Sequence, residues 1–187
     1  MTIQLPTLET SCLRLRKLRR EDVALYYARL WSQEAVARYM LWQPHKTIED
    51  SAASIKKVLC RYETGESCRF CIALKETDEL IGIIDLLRFD EEVKSCSFAY
   101  MLGADFWGKG YGTEAVKAVF GFAFDVLGVE RITADHFSAN PASGAVMKKA
   151  GMVWQRKLPR QYEKNGQAFD AEEYSITKHQ WNGQKGS

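Results

Sequence analysis

Three glycines spaced two apart, Gly108, Gly110 and Gly112, stand in the run FWGKGYGTEA, and from Tyr111 to Leu127 the pattern is that of a helix. A helix entered through such a turn presents first-turn N–H groups without partners inside the helix, together with the positive end of its dipole. Phosphate suits that arrangement, because glycines leave the amides unshielded. Lys109 adds charge at the rim and Thr113 a hydroxyl donor. A tight strand-to-helix turn would also call for glycine, so the surroundings decide between the two readings. No Lys-Ser or Lys-Thr pair follows four unconstrained positions, which excludes a Walker loop, and the G-x-G-x-G spacing is not the dinucleotide fingerprint. A phosphate site without a Ser/Thr-and-Asp arrangement for a metal points to a cofactor carried by its phosphates; no metal is expected.

A second cluster lies in NPASGAVMKKAGM. Asn140 starts a helix, where it can cap, and Ser143 falls in the first turn. Lys148 and Lys149 complement the carbonyl end of the dipole, and Gly151 stops the helix. Among titratable groups, His136 alternates with Ile132 and Ala134 on an apolar face, which favours core packing with one hydrogen bond over catalysis. Glu91 and Glu92 sit in a turn and read as solvated; Tyr100 and Tyr174 read equally as groove-lining or as buried rings with wet hydroxyls.

The elements that must position these residues follow from periodicity. A basic strand, CLRLRKL, leads into a helix, REDVALYYARL. Thr47 with Asp50 three later marks a helix whose Ile48, Ala52, Ile55, Leu59 and Tyr62 form one buried stripe ending before Gly65. RFCIAL, LIGIIDLLRF and Lys94 to Leu102 read as three antiparallel strands, the second apolar enough to be covered on both faces. In the helix after the glycines, Ala115, Ala118, Val119, Phe122, Ala123 and Val126 pack inward, and Gly128 ends it. Arg131 to Phe137 is a strand, Pro141 to Ala150 a helix, and the last segment a hairpin turning at Asn165-Gly166, with Pro159 interrupting or edging one arm. Consecutive hairpin strands argue against a doubly wound nucleotide fold.

The chain has 187 residues, 46% of them hydrophobic, which is enough for one domain, expected over residues 1–181 with a polar, frayed tail at 182–187. Its 26 basic and 24 acidic residues leave +2, too little for backbone-directed nucleic-acid binding. Five cysteines, including Cys68 and Cys71, read as reduced thiols. With neither a leader nor an apolar run of the roughly 18 residues a membrane span needs, the protein is expected to be soluble and cytoplasmic, without a membrane partner.

FAYMLGADFWGKGYGTEAVKAVFGFAFDVLGVERI followed by SANPASGAVMKKAGMVW resembles the acetyl-CoA motifs of the GCN5-related N-acetyltransferase (GNAT) superfamily, in the branch typified by ribosomal-protein N-terminal acetyltransferases. LETSCLRLRKLRREDV, ELIGIIDL and QYEKNGQAFDAEEYSI resemble the branch's first strand and helix, central strand and closing hairpin. The resemblance implies a mixed, mainly antiparallel central sheet with helices on both faces and a V-shaped splay between Phe98–Leu102 and the strand starting near Arg131, with pantetheine in the gap. It implies acetyl-CoA as co-substrate, with Trp107, Gly108, Lys109, Gly110, Tyr111 and Gly112 as the pyrophosphate loop and Thr113 beside it. A backbone N–H near Tyr100 or Met101, on the strand ending at Leu102, is expected to polarise the thioester carbonyl, while Asn140 contacts the pantetheine arm and Ser143 serves catalytically near the departing thiolate.

Three departures matter: Trp107 replaces a glutamine or arginine, Met147 stands where many members place a tyrosine acid, and Ser97 where many branch members carry a glutamate. The general base is therefore undefined. The leading acceptor is a protein or peptide α-amine, whose pKa of about 8 leaves part of it neutral. A small-molecule amine (polyamine, amino-sugar or amino-acid type) is the alternative, and a non-enzymatic acyl-CoA sensor a third. A monomer or homodimer is expected.

Overall fold

The computed structural model describes residues 3–185. Alternation of Leu13 and Leu15 with arginines makes β2 (Leu13–Arg16), paired antiparallel to a two-residue strand, β1 (Leu8–Glu9), that the sequence pattern does not announce. The expected helix after it is broken into a 3-10 turn (Arg20–Asp22), α1 (Val23–Tyr26) and a π turn (Tyr27–Trp31), closed by Ser32 N–H and Oγ both donating to the Tyr27 carbonyl at 3.0 and 2.9 Å. A short α2 (Glu34–Ala37) precedes α3 (Ile48–Glu63), which begins with the expected capping box: Asp50 N–H donates to Thr47 Oγ1, and Thr47 N–H to Asp50 Oδ2. The buried stripe of α3 is rotated from the expected one. Ile48 and Ala52 are exposed, and Ser51, Ile55 and Val58 are buried, the Ser51 hydroxyl being satisfied by His45 Nδ1 at 2.8 Å.

The meander follows as β3 (Cys68–Leu74), β4 (Leu80–Asp90) and β5 (Ser95–Leu102). β4 is buried from Leu80 to Leu86 and emerges beyond, so it is covered only over its first part. α4 (Tyr111–Gly121) runs into a second π turn (Phe122–Val126). That wider turn shifts the helical phase, so Phe124 is buried and Val126, expected inward, is 70% exposed. β6 (Arg131–Phe137), α5 (Pro141–Lys149), β7 (Val153–Lys164) and β8 (Gln167–Thr177) complete the expected order, Asn165 and Gly166 taking the positive φ of a tight hairpin. The chain then forms α6 (Lys178–Lys185), so residues 182–185 are helical where a frayed tail is expected; residues 186 and 187 lie outside the described residues.

The strands are hydrogen-bonded in the order β1-β2-β3-β4-β5-β6-β8-β7, a mixed, mainly antiparallel sheet flanked by helices. β5 and β6 pair in parallel, in a ladder that ends at Ser97↔Thr133 although β5 continues to Leu102 and β6 to Phe137. β7 lies at one edge of the sheet, and its register slips around Pro159, between Leu158 and Tyr162, as proline at an edge permits.

Two compact units interleave along the chain. The first, Met1–Asp85 with Tyr100–Ala118, has an apolar core including Leu18, Tyr26, Leu30, Ile55, Ile83 and Met101, with the ion pairs Arg16–Asp22 and Arg69–Asp85 beside it. Arg16 is 3% exposed and bonds both oxygens of Asp22 at 2.8 and 2.9 Å; Arg69 holds Asp85 the same way. The second, Leu86–Ala99 with Val119–Ser187, packs Phe120 edge-on to Phe98, Phe124 and Trp181 and covers one face of β6 at Ile132, Ala134 and His136.

Candidate active site

In the first unit the glycine loop hangs from the end of β5. Gly103 N–H donates to the Ile81 carbonyl at 2.9 Å, a 3-10 turn spans Ala104–Phe106, and the Trp107 indole N–H donates back to the Leu102 carbonyl at 2.8 Å. Trp107 thus spends its polar atom on its own strand, and its ring is 50% exposed. Gly108 and Gly110 take φ of +72° and +86°, a region that side-chain-bearing residues resist, and a Cβ built at either would meet nothing within 4 Å. Amides held open in this way at the mouth of α4 fit a pyrophosphate. Tyr111, Gly112 and Thr113 form the first turn, and Glu114 N–H closes the first helical bond onto Gly110 at 3.1 Å. Lys109 and Arg29 stand over the Phe106 ring at 5.5 and 5.2 Å. Tyr100, Met101 and Leu102 share this unit, with Met101 and Leu102 buried.

Glu114 is a residue that reading the motif passes over. Its Oε1 accepts from Ser11 Oγ at 2.9 Å and from Cys12 N–H at 2.8 Å, fastening the β1–β2 turn to the first turn of α4. Burial pushes its carboxyl up, but hydrogen bonds from Thr10, Cys12 and Ser11 outweigh that and hold it below the usual glutamate value.

In the second unit Asn140 caps α5: its Oδ1 accepts from Ser143 N–H at 3.4 Å, with Pro141 in the first turn. Ser143 is half-buried, while Gly144 and Met147 face inward. Beneath them lies His136, 8% exposed, with Nδ1 2.8 Å from the Phe137 carbonyl and its ring stacked on Tyr174 at 5.6 Å. The expected core position with one hydrogen bond is what the structure has. Tyr174 is buried as well. Glu91 and Glu92 are exposed in the turn between β4 and β5, and Ser97 Oγ donates to the Leu87 carbonyl at 3.3 Å. Cys68 and Cys71 are buried free thiols, and burial pushes that of Cys71 up to about 12. Among the described residues no helix is long and apolar enough to cross a membrane.

The model of the acetyltransferase (GNAT) domain family matches residues 13–153. The uncharacterized N-acetyltransferase p20 of Bacillus licheniformis is 32% identical over 179 residues, 95% of this chain and 99% of its own. Spermidine N(1)-acetyltransferase of Escherichia coli K12 is 25% identical over 90% of this chain and 87% of its own. YdaF of Bacillus subtilis, named as a candidate ribosomal N-acetyltransferase, is 29% identical over 57% of this chain and 58% of its own.

Proposed function

The chain belongs to the GNAT acetyltransferase family, and within it we propose that the acceptor is a small-molecule amine of the polyamine kind. It is an acetyl-CoA-dependent enzyme that moves an acetyl group to an amine, so the sensor reading is set aside. The observation that carries the proposal is extent: the likeness to the spermidine enzyme runs over 90% of this chain, against 57% for the relative named for ribosomal acetylation. Such likeness takes in what lies around the acetyl-CoA motifs, where acceptors are discriminated.

Acetyl-CoA supplies an activated acyl group on a thiol leaving group. Toward it, the proposed roles are these: the amides from Gly108 to Thr113, aided by Lys109, bind the pyrophosphate; Tyr100, Met101 and Leu102 offer backbone N–H groups to the acyl oxygen; Asn140 orients the pantetheine arm; and Ser143 donates a hydrogen bond where the sulfur departs. Trp107 contributes its backbone, since its indole N–H is engaged with Leu102. A polyamine amine, with a pKa near that of lysine at about 10, must shed a proton before it attacks, so turnover should climb with pH more steeply for it than for an α-amine near 8.

The α-amine of a ribosomal protein is the second reading, favoured by the partial YdaF match. Thiol release from acetyl-CoA against spermidine, spermine, aminoglycosides, free N-terminal peptides and N-terminally blocked lysine peptides separates the two. The proposal expects selective turnover of the polyamines; turnover confined to free N-terminal peptides overturns it.

A further inference from the structure

Ala52 and Ala53 stand on the outer side of α3, where a surface helix ordinarily carries longer polar side chains, and both are exposed. Their small size leaves a groove between α3 and the turn that opens α1. Its volume of about 350 Å³ lies toward the lower end of the range for small-molecule sites. Ile55, which is buried, lines it together with Val23 and Leu59, both half-buried against the core, so the floor is apolar.

Two cations complete the lining, Arg20 from the 3-10 turn and Lys56 from α3, and no acidic side chain joins them. The α3 positions three and four residues to either side of Lys56 are Ala52, Ala53, Leu59 and Cys60, which leaves no carboxylate to pair with it along the helix. Of the acids next to Arg20, Asp22 is held by Arg16 at 2.8 and 2.9 Å, and Glu21 lies outside the lining. Among the described residues neither cation makes an ion pair. The whole groove belongs to the first unit, and none of its residues has a role assigned above in acetyl transfer.

An apolar floor beside two unpaired positive charges suits an amphipathic anion. A polyamine would meet like charge here, so the groove is not a second place for the acceptor. From Ala52 to Leu59 the helix rises about 10 Å at 1.5 Å per residue, which matches an extended chain of about eight carbons. We propose that this groove binds a medium-chain fatty carboxylate, its alkyl chain lying along α3 over Val23, Ile55 and Leu59 and its head group held by Arg20 and Lys56.

The test is methyl NMR of the full chain titrated with octanoate, with octylamine, which keeps the chain and reverses the charge, as the control. Octanoate should shift the methyl resonances of Val23, Ile55 and Leu59 saturably, with a Kd on the order of 1 mM or below, and octylamine should bind at least about fivefold more weakly. Added salt should weaken octanoate, since the charges are near the surface. Lys56→Glu should lower octanoate affinity at least about fivefold. Ala52→Phe, which fills the groove from an exposed position, should abolish the octanoate shifts while the Gly110 amide still responds to CoA as in wild type. The absence of saturable shifts, equal affinities for octanoate and octylamine, or octanoate shifts that CoA reverses would each overturn the proposal, the last by placing the probe in the cofactor cleft. Methyl shifts that grow with protein concentration in the absence of octanoate overturn it as well, because a second copy of the chain is then the occupant.

Discussion

Replacing Gly144 by alanine sets two well-measured effects against each other. Gly144 lies in the interior of α5 without a positive φ, where alanine ordinarily stabilises a helix by about 1 kcal/mol. The added Cβ, however, stands 2.6 Å from His136 Nε2 and 3.2 Å from Cε1, with Tyr174 Oη at 3.4 Å. The imidazole is not a flexible chain end that can swing aside: it is 8% exposed, bonded to the Phe137 carbonyl and stacked on Tyr174. Overpacking of a fixed ring costs about 1–3 kcal/mol, and loss of the Nδ1 bond about 1 more. The sum, after the helix gain, is a destabilisation of about 1–3 kcal/mol, readable as a shift in the urea midpoint at unchanged m-value. The same substitution in a His136→Ala background has no ring to strike and should stabilise by about 1 kcal/mol, a reversal of sign. If Gly144→Ala stabilises the wild-type background, the close approach of ring and helix is not what fixes glycine there.

Three further outcomes follow from the geometry. Gly110→Asp places a carboxylate and a strained φ of +86° in the cradle, and calorimetry should find acetyl-CoA affinity reduced at least tenfold, whereas undiminished binding would remove the phosphates from this loop. Glu114→Gln should cost about 1 kcal/mol near pH 7. Because the folded pKa of Glu114 lies below the unfolded value of 4.5, its contribution is present above that pH and fades as pH falls through the folded pKa, so wild type and variant should converge in acid denaturation. Asp85→Ala leaves the Arg69 guanidinium largely buried and unpaired and should cost about 3–5 kcal/mol, whereas Asp85→Leu with Arg69→Met should recover most of it; equal losses in single and double variants would contradict the pairing.

What the sequence made legible has a physical pattern. Gly108 and Gly110, the Thr47–Asp50 capping box, Asn140 and the Asn165-Gly166 turn were readable because each is a local device in which residue type answers directly to backbone geometry. The structure departs from the pattern where tertiary contacts override a fixed period. A 3.6-residue repeat places Val126 inward, and the π turn at Phe122–Val126 rotates it out. Steps of four and three from Ile48 leave Ser51 off the α3 stripe, yet Ser51 is buried, its hydroxyl 2.8 Å from His45 Nδ1 in the preceding loop. α6 has in Trp181 a single buried apolar anchor on an otherwise polar run, too little for a period to register. The contact of Gly144 with His136 joins a helix to a strand eight residues away, and only the fold reveals it.

Glu114 shows how the cradle can carry an acid without spoiling itself. A carboxylate in the first turn of α4 is favoured by the helix dipole, but the same positive end is what a bound pyrophosphate would use, and two anions sharing it would repel. The carboxylate is instead drawn onto Ser11 and Cys12, so its charge is met by donors belonging to another segment. Lys109 and Arg29, both over the Phe106 ring, keep cations beside the loop. The acid therefore ties the β1–β2 turn to α4 and leaves the open amides at Gly108 and Gly110 to a ligand. On this account the cradle's affinity depends on that turn: Glu114→Ala, which removes the tie, should weaken acetyl-CoA binding several-fold, and Glu114→Gln, which can still accept from Ser11 and Cys12, should retain most of it. Equal losses in the two variants would mean that the charge, and not the tie, is what the cradle requires.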